Sequence, residues 1–222
     1  MTFSIAAKCP RTGMFGLAVA TSNMNCAARV LFARAKAGAV LTQARADPRL
    51  GAEGVELLSQ GLSAGAVIER LTANRAHSEW RQLAAVDAAG RTAQHTGERT
   101  TAHRAHAAGA GAIALGNGLA DDRVPAAMLK AFQAEPERHV ADRLLRALEA
   151  GLAAGGEPKM LKSAGLMIVH EHAFPLADLR VEFDPDPLAK LRFLWEIYRA
   201  MIPTYLTRAL DPANAPSTEY LV

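Results

Sequence analysis

The sequence predicts one α+β domain in which antiparallel sheets are sandwiched between helices. Three observations lead there. Half of the 222 residues are hydrophobic, enough for a substantial core. Strand signals arrive as hairpins, near 2–21 and again near 81–96, and helix signals arrive in adjacent pairs. The strict strand–helix alternation that builds a parallel sheet is missing. Aromatics make up only 5%, so Ala, Leu, Val and Ile must fill the core with close backbone approach.

Thr2–Ala7 and Phe15–Thr21 read as a hairpin. Its turn is Cys9-Pro10-Arg11-Thr12-Gly13, where Pro fixes φ and Gly accepts positive φ. Ser22–Ala28 is polar and small, a loop, and Gly38–Gln43 is a short apolar strand. Pro48 opens a helix that ends by Gly61, and Ser63 caps a second with Val67, Ile68 and Leu71 on one face. Arg81–Asp87 and Arg91–Thr96 flank Ala88-Ala89-Gly90 as a second hairpin. Gly109–Asn117 is a buried strand ending in a Gly-Asn-Gly turn. Helices over Val124–Ala134 and Val140–Ala150 follow, then strands over Ser163–His170 and Leu176–Glu182. The last helix spans Leu188–Met201, and after Pro203 the chain reads as an extended tail. The organisation is thus a domain over 1–202 and a tail over 203–222 that packs on the domain or on a partner.

Lys and Arg number 25 against 22 Asp and Glu, a net charge of +3 with no basic run. Nucleic-acid and membrane partners are therefore not expected. No stretch of about 18 apolar residues spans a bilayer, and no leader pattern precedes the first strand. Cys9 and Cys26 are too few for a disulfide framework and read as reduced thiols in the cytoplasm. His103-x-x-His106 and His170-x-His172 lack a third ligand at a recognised spacing, so no metal is expected. Phosphate-binding and dinucleotide-binding glycine loops are missing, as is the Gly-x-Ser-x-Gly elbow, and no cofactor is expected.

The runs TFSIAAKCPRTGMFGLAVATSN, GAVLTQARADPRLGAEGVELLSQGLSA and RQLAAVDAAGRTAQHTGE resemble the bacterial family known as DUF1028. GNGLA, SAGLMIV, DLRVEFDPDPLAKLRFLWEIY and the tail YLTRALDPANAPS extend the resemblance over nearly the whole chain. It implies the four-layer αββα sandwich of antiparallel sheets of the N-terminal-nucleophile (Ntn) hydrolases. In one place the chain departs from the wider family: a Gly-Asp-x-Arg-Gly-type stretch is replaced by Gly156-Glu157-Pro158-Lys159-Met160. If that loop holds substrate, its specificity differs here.

The resemblance also implies where the chemistry lies. In such hydrolases the first residue of the mature chain attacks with its side chain and takes the proton on its own α-amine. Thr2 meets that demand once Met1 is removed; otherwise Thr2 is a β-branched residue that starts a strand. The expected activity is hydrolysis of a small amide, ureido or cyclic-amide metabolite. The alternative is a non-catalytic Ntn-like protein for small-molecule binding or assembly. No acid follows the second strand, which argues against a proteasome-like arrangement. Thr21, Ser22 and Asn23 there offer hydroxyl and amide groups to a substrate, or simply form the loop. Thr42 and Gln43 end the third strand. Gln43 is an oxyanion donor or satisfies local backbone groups. Arg45 and Asp47 in the next loop are candidate binding groups, with Arg29 a further anion anchor. Asn117 is an oxyanion donor or a turn former. His95 is an acid/base or a structural residue. Asp178 and Arg180 share a strand face and pair or line a carboxylate pocket. A homo-oligomer, dimer or higher, is expected from the Trp195/Tyr198 helix and the Pro-rich tail.

Overall fold

A computed structural model describes residues 1–216 of the chain. In chain order it runs β1 (Thr2–Lys8), β2 (Phe15–Thr21), α1 (Ala27–Val30), β3 (Leu31–Arg34), β4 (Gly38–Ala44), α2 (Pro48–Ser59), α3 (Ala64–Thr72), β5 (Arg81–Asp87) and β6 (Thr92–Thr96). It continues through β7 (Ala105–Gly109), β8 (Ala112–Asn117), α4 (Val124–Gln133), α5 (Val140–Ala153), β9 (Ser163–Val169), β10 (Ala177–Val181) and α6 (Pro187–Leu210). A six-stranded sheet has the order β10-β9-β2-β1-β8-β7 and a four-stranded sheet the order β3-β4-β5-β6. Every neighbouring pair is antiparallel.

Side-chain alternation along the strands builds the layers. On β1, Phe3, Ile5 and Ala7 pack outward with Met128, Leu144, Leu148, Leu191 and Trp195 of α4, α5 and α6. Ala6 faces the other way and joins Leu17, Leu41, Ala84, Ile113 and Leu115 between the sheets. On the far side Val40, Leu83 and Ala85 pack against Leu50, Leu58, Val67 and Leu71 of α2 and α3. The result is an αββα sandwich, the fold class expected from the sequence. Scarce aromatics are offset by close approach: a Cβ on Gly16 would lie 2.5 Å from Leu144 Cδ1. A buried leucine such as Leu144 contributes about 2 kcal/mol by burial alone.

The ends of the helices follow their capping residues. Asp47 accepts from Arg49 N at 3.1 Å, Ser63 from Ala66 N at 3.3 Å and Asp186 from Ala189 N at 3.2 Å. Two strands escape the sequence pattern. β3 follows the short helix α1, which begins inside the expected loop, and β7 precedes the expected strand, now β8, and pairs with it as a hairpin. The boundary expected at 203 falls inside α6. Pro203 removes one backbone donor, yet the helix continues to Leu210. Tyr198 and Ile202 pack on the core just before it, and the Tyr198 and Tyr205 rings lie 5.7 Å apart across it. Thr207 Oγ1 donates to the Pro203 carbonyl at 3.0 Å. Residues 217–222 of the expected tail lie outside the described residues. Among the described residues no helix is long and apolar enough to cross a membrane.

Candidate active site

The layer between the sheets is apolar in its middle and polar at one end. The alternation that places Ala6, Leu41, Ala84 and Leu115 there also places Ser4, Gln43, Gln82 and Asn117 there, each two residues away in its strand. These four are at most 1% exposed. They hydrogen-bond to one another. Ser4 Oγ donates to Gln43 Oε1 at 2.6 Å. Gln82 Oε1 accepts from Gln43 Nε2 at 2.7 Å and from Asn117 Nδ2 at 3.1 Å. Gln82 Nε2 donates to Thr96 Oγ1 at 3.2 Å and to the Gly116 carbonyl at 3.0 Å. Gln82 is the hub: both of its side-chain polar atoms are paired, which fixes the geometry of its neighbours.

Thr2 lies one step beyond Ser4 on the same face, where β1 begins. Its backbone is opposite Asn117 in the ladder. Its hydroxyl donates to the Met1 carbonyl and lies 3.4 Å from Thr21 Oγ1. Thr21 Oγ1 donates to the same Met1 carbonyl at 2.6 Å. Glu157 reaches in from the loop after α5: its Oε2 accepts from Ser22 N at 3.0 Å, and the residue is only 6% exposed. Burial pushes the Glu157 carboxyl above its ordinary range; the donated Ser22 N–H, the positive amino terminus and the Thr21 hydroxyl pull it back down. Glu157 Oε1 and Asn117 Oδ1 are buried and find no donor.

Thr2 opens on a cleft of about 450 Å³, within the range of small-ligand sites. Thr21, Asn23, Gln43 and three arginines, Arg29, Arg45 and Arg81, line it. Cys26 lines it as well, but burial pushes its thiol up to about 12, which keeps it protonated and un-nucleophilic. Among the described residues no three His, Cys, Asp or Glu side chains gather as a metal site would require.

A family model described as a family of unknown function, DUF1028, matches residues 2–191. The chain belongs to that family. A crystal structure of a DUF1028 protein from Silicibacter pomeroyi is 33% identical, with a TM-score of 0.82 over 90% of this chain and 89% of that one. Two Anbu structures are 12% identical: a Gly-1 mutant from Hyphomicrobium sp. strain MC1, with a TM-score of 0.41 over 100% of both chains, and an ancestral β-subunit from Yersinia bercovieri. The second has a TM-score of 0.35 over 98% of this chain and 100% of that one. Scores this low carry no argument about this site. The search of curated proteins returns no match.

In this DUF1028 chain the fold gathers part of the expected set. Thr2, Thr21, Asn23, Gln43 and Arg45 share the cleft, while Asn117 borders the adjoining cavity with Met1 and Arg99. Ser22 contributes its backbone N–H to Glu157. The other candidates point elsewhere, for reasons of alternation or pairing. Thr42 and His95 have the opposite parity to Gln43 and Thr96, so they leave the inter-sheet layer; Thr42 bonds the Asp47 carbonyl and His95 Nε2 meets the Ser78 carbonyl. Asp47 caps α2 and pairs with Arg49, which holds its carboxyl near 2. Asp178 and Arg180 pair with each other at 2.8 Å on the edge strand β10. Glu157 and Gln82 were not among the candidates. Gln82 was signalled by its polarity at an inward position of an otherwise apolar strand. Glu157 was signalled only through its loop, Gly156–Met160, where the chain departs from the wider family; its own role comes from a contact across 135 positions of sequence.

Proposed function

We propose that the chain is an Ntn-type amidohydrolase acting on a small amide, ureido or cyclic-amide metabolite, with Thr2 as nucleophile once Met1 is removed. One observation carries the reading. Two buried acceptors, Asn117 Oδ1 opposite Thr2 and Glu157 Oε1 beside Thr21 and Ser22, have no donor while Met1 is in place. Buried polar atoms are seldom left so. Loss of Met1 converts the Thr2 peptide nitrogen into an ammonium with three donors at that spot, and removes the carbonyl that holds both threonine hydroxyls.

The trimmed chain then has the parts the reaction needs. The Thr2 α-amine, with an ordinary pKa of about 8, acts in its unprotonated form: it takes the Oγ1 proton and becomes the ammonium as Oγ1 bonds to the substrate carbonyl carbon. The remaining Gln43 N–H is a candidate donor to the oxyanion. Collapse breaks the C–N bond, the amine passes the proton to the departing nitrogen, and water then hydrolyses the Thr2 ester. Glu157 orients the ammonium and takes the part of the acid missing after β2. A cytoplasmic location and association with further copies of the chain belong to the same proposal; Phe193 and Ile197, exposed on α6, support the second.

The alternative is a non-catalytic binding or assembly protein. The ease with which the fold houses Met1, whose carbonyl accepts from both threonines, favours it. Intact-mass measurement on protein from its native host, followed by a screen of small amides, separates the two. Trimmed protein should hydrolyse a member of the screen, and Thr2→Ala should lower that rate by at least about 10³-fold. Full retention of Met1, or activity that survives Thr2→Ala, overturns the nucleophile reading.

A further inference from the structure

We propose that the cleft is built for an anionic substrate, a small amide whose acyl or amine part carries a carboxylate, held by Arg45 and Arg29 with support from Arg81. The inference rests on the amidohydrolase reading for the word substrate, but the anion site stands on its own observations.

Arg29, Arg45 and Arg81 all line the cleft that Thr2 borders, and no aspartate or glutamate lines it. Among the described residues Arg29 and Arg45 have no carboxylate partner, and Arg81 comes only to 3.9 Å from Asp47. Elsewhere the chain pairs such groups tightly: Arg49, Arg91, Arg123 and Arg180 each have a carboxylate within 2.8 Å. Among the described residues Arg70, Arg99, Arg104 and Arg143 also form no ion pair, but they stand elsewhere on the fold; the cleft is set apart because three arginines line it together.

The guanidinium groups are also held in place by contacts that leave the charges of Arg29 and Arg45 without a carboxylate, while Arg81 keeps its long ion pair with Asp47. Arg29 donates to the Ala46 carbonyl at 3.2 Å, and Arg81 donates to the Arg45 carbonyl. Arg45 lies over the Trp80 ring, 5.5 Å from its centroid, and Arg99 lies over the same ring at 5.4 Å. Just before Arg45, Ala44 adopts φ of 70°, a left-handed conformation that L-residues disfavour. Strain of this kind concentrates where a side chain must be aimed. Like charges gathered without counter-charge repel one another, and a bound carboxylate removes that repulsion while accepting two parallel N–H bonds from a guanidinium fork. A neutral amide gives the cleft nothing to set against it.

The test uses full-length Thr2→Ala protein, so that turnover does not confound binding. Calorimetry at low salt compares N-acetylglycine, N-carbamoylglycine, N-carbamoyl-β-alanine and N-acetylaspartate, each with its methyl amide. At least one acid should bind at least about 10-fold more tightly than its neutral partner, with a preference that shrinks as salt rises. Arg45→Gln should erase the preference, Arg45→Lys should keep part of it, and Arg70→Gln, on the exposed face of α3, should leave it unchanged. Circular dichroism on each variant excludes misfolding as the cause. No acid binding at about 10 mM ligand, roughly tenfold above the usual upper range of substrate KM values, or equal binding of acid and amide, overturns the proposal. Anion binding in a protein that never hydrolyses an amide would leave the site standing and sink only the nucleophile reading.

Discussion

Gln43 and Gln82 stand directly opposite each other on β4 and β5, and the Gln43 amide donates to the Gln82 carbonyl oxygen at 2.7 Å. Because Asn117 donates to that same oxygen at 3.1 Å, one buried side chain ties the two sheets together.

Replacing Gln82 with methionine keeps most of its volume and removes every hydrogen bond. Donors on Gln43 and Asn117 are then buried unpaired. Each orphan costs about 1–3 kcal/mol, so Gln82→Met should destabilise the fold by about 3 kcal/mol. Urea denaturation reads this as a fall in midpoint at unchanged slope. A loss under 1 kcal/mol (on the order of one ordinary hydrogen bond) would show that the hub is not what holds this end of the sandwich.

Glu157 titrates above its ordinary 4.5 in the folded chain. A carboxyl raised on folding gives stability that is complete below the unfolded value and is lost as pH rises through the folded one. Glu157→Gln should therefore have the higher Tm at pH 8, with the gap closing by pH 4. Its hydrolytic rate should fall all the same, since the neutral amide no longer attracts the ammonium. Thermal scans across that range, beside the amide assay, check both parts.

Gly118 has φ of 61°, and a Cβ there would lie 2.3 Å from Met1 Cγ. Gly118→Ala carries a backbone penalty of about 1–2 kcal/mol in any form of the protein. The clash adds to it only while Met1 is present. The trimmed variant should thus melt above the untrimmed one by a margin that the parent pair lacks, as scanning calorimetry on both forms would show.

Cys26 should resist alkylation. With its thiol pushed up to about 12, the thiolate is scarce at pH 8. Peptide mapping after iodoacetamide treatment should show it reacting at least about 100-fold more slowly than an ordinary exposed thiol of pKa near 8.5. Fast labelling would reopen Cys26 as a nucleophile in the cleft.

Much of the scaffold was legible because its signals are local. Ser63 announces its helix, and Arg81–Asp87, a short apolar run from Leu83 to Val86 bounded by polar residues and followed by the Ala88-Ala89-Gly90 turn, is β5 residue for residue. β7 was missed because Ala105–Gly109 has little apolar content to alternate. The helix across Pro203 was missed because tertiary packing outweighs a local breaker there. At the site the deciding variable was parity. Thr2, Thr21, Gln43 and Asn117 fall on the inward face of their strands, whereas His95 and Thr42 fall on the other, although all six are polar residues near strand ends. Glu157 lies beyond any such rule, since only the folded chain brings it to Ser22.

The Met1 carbonyl holds the hydroxyls of Thr2 and Thr21 together. Under the proposed chemistry, a newly made chain leaves the ribosome with its reactive group masked by its own start residue. Competence then depends on a single cleavage by another enzyme, which competes with folding for access to the emerging terminus. Purified material from an overloaded expression host would be a mixture, and its specific activity would count the processed molecules rather than the protein present.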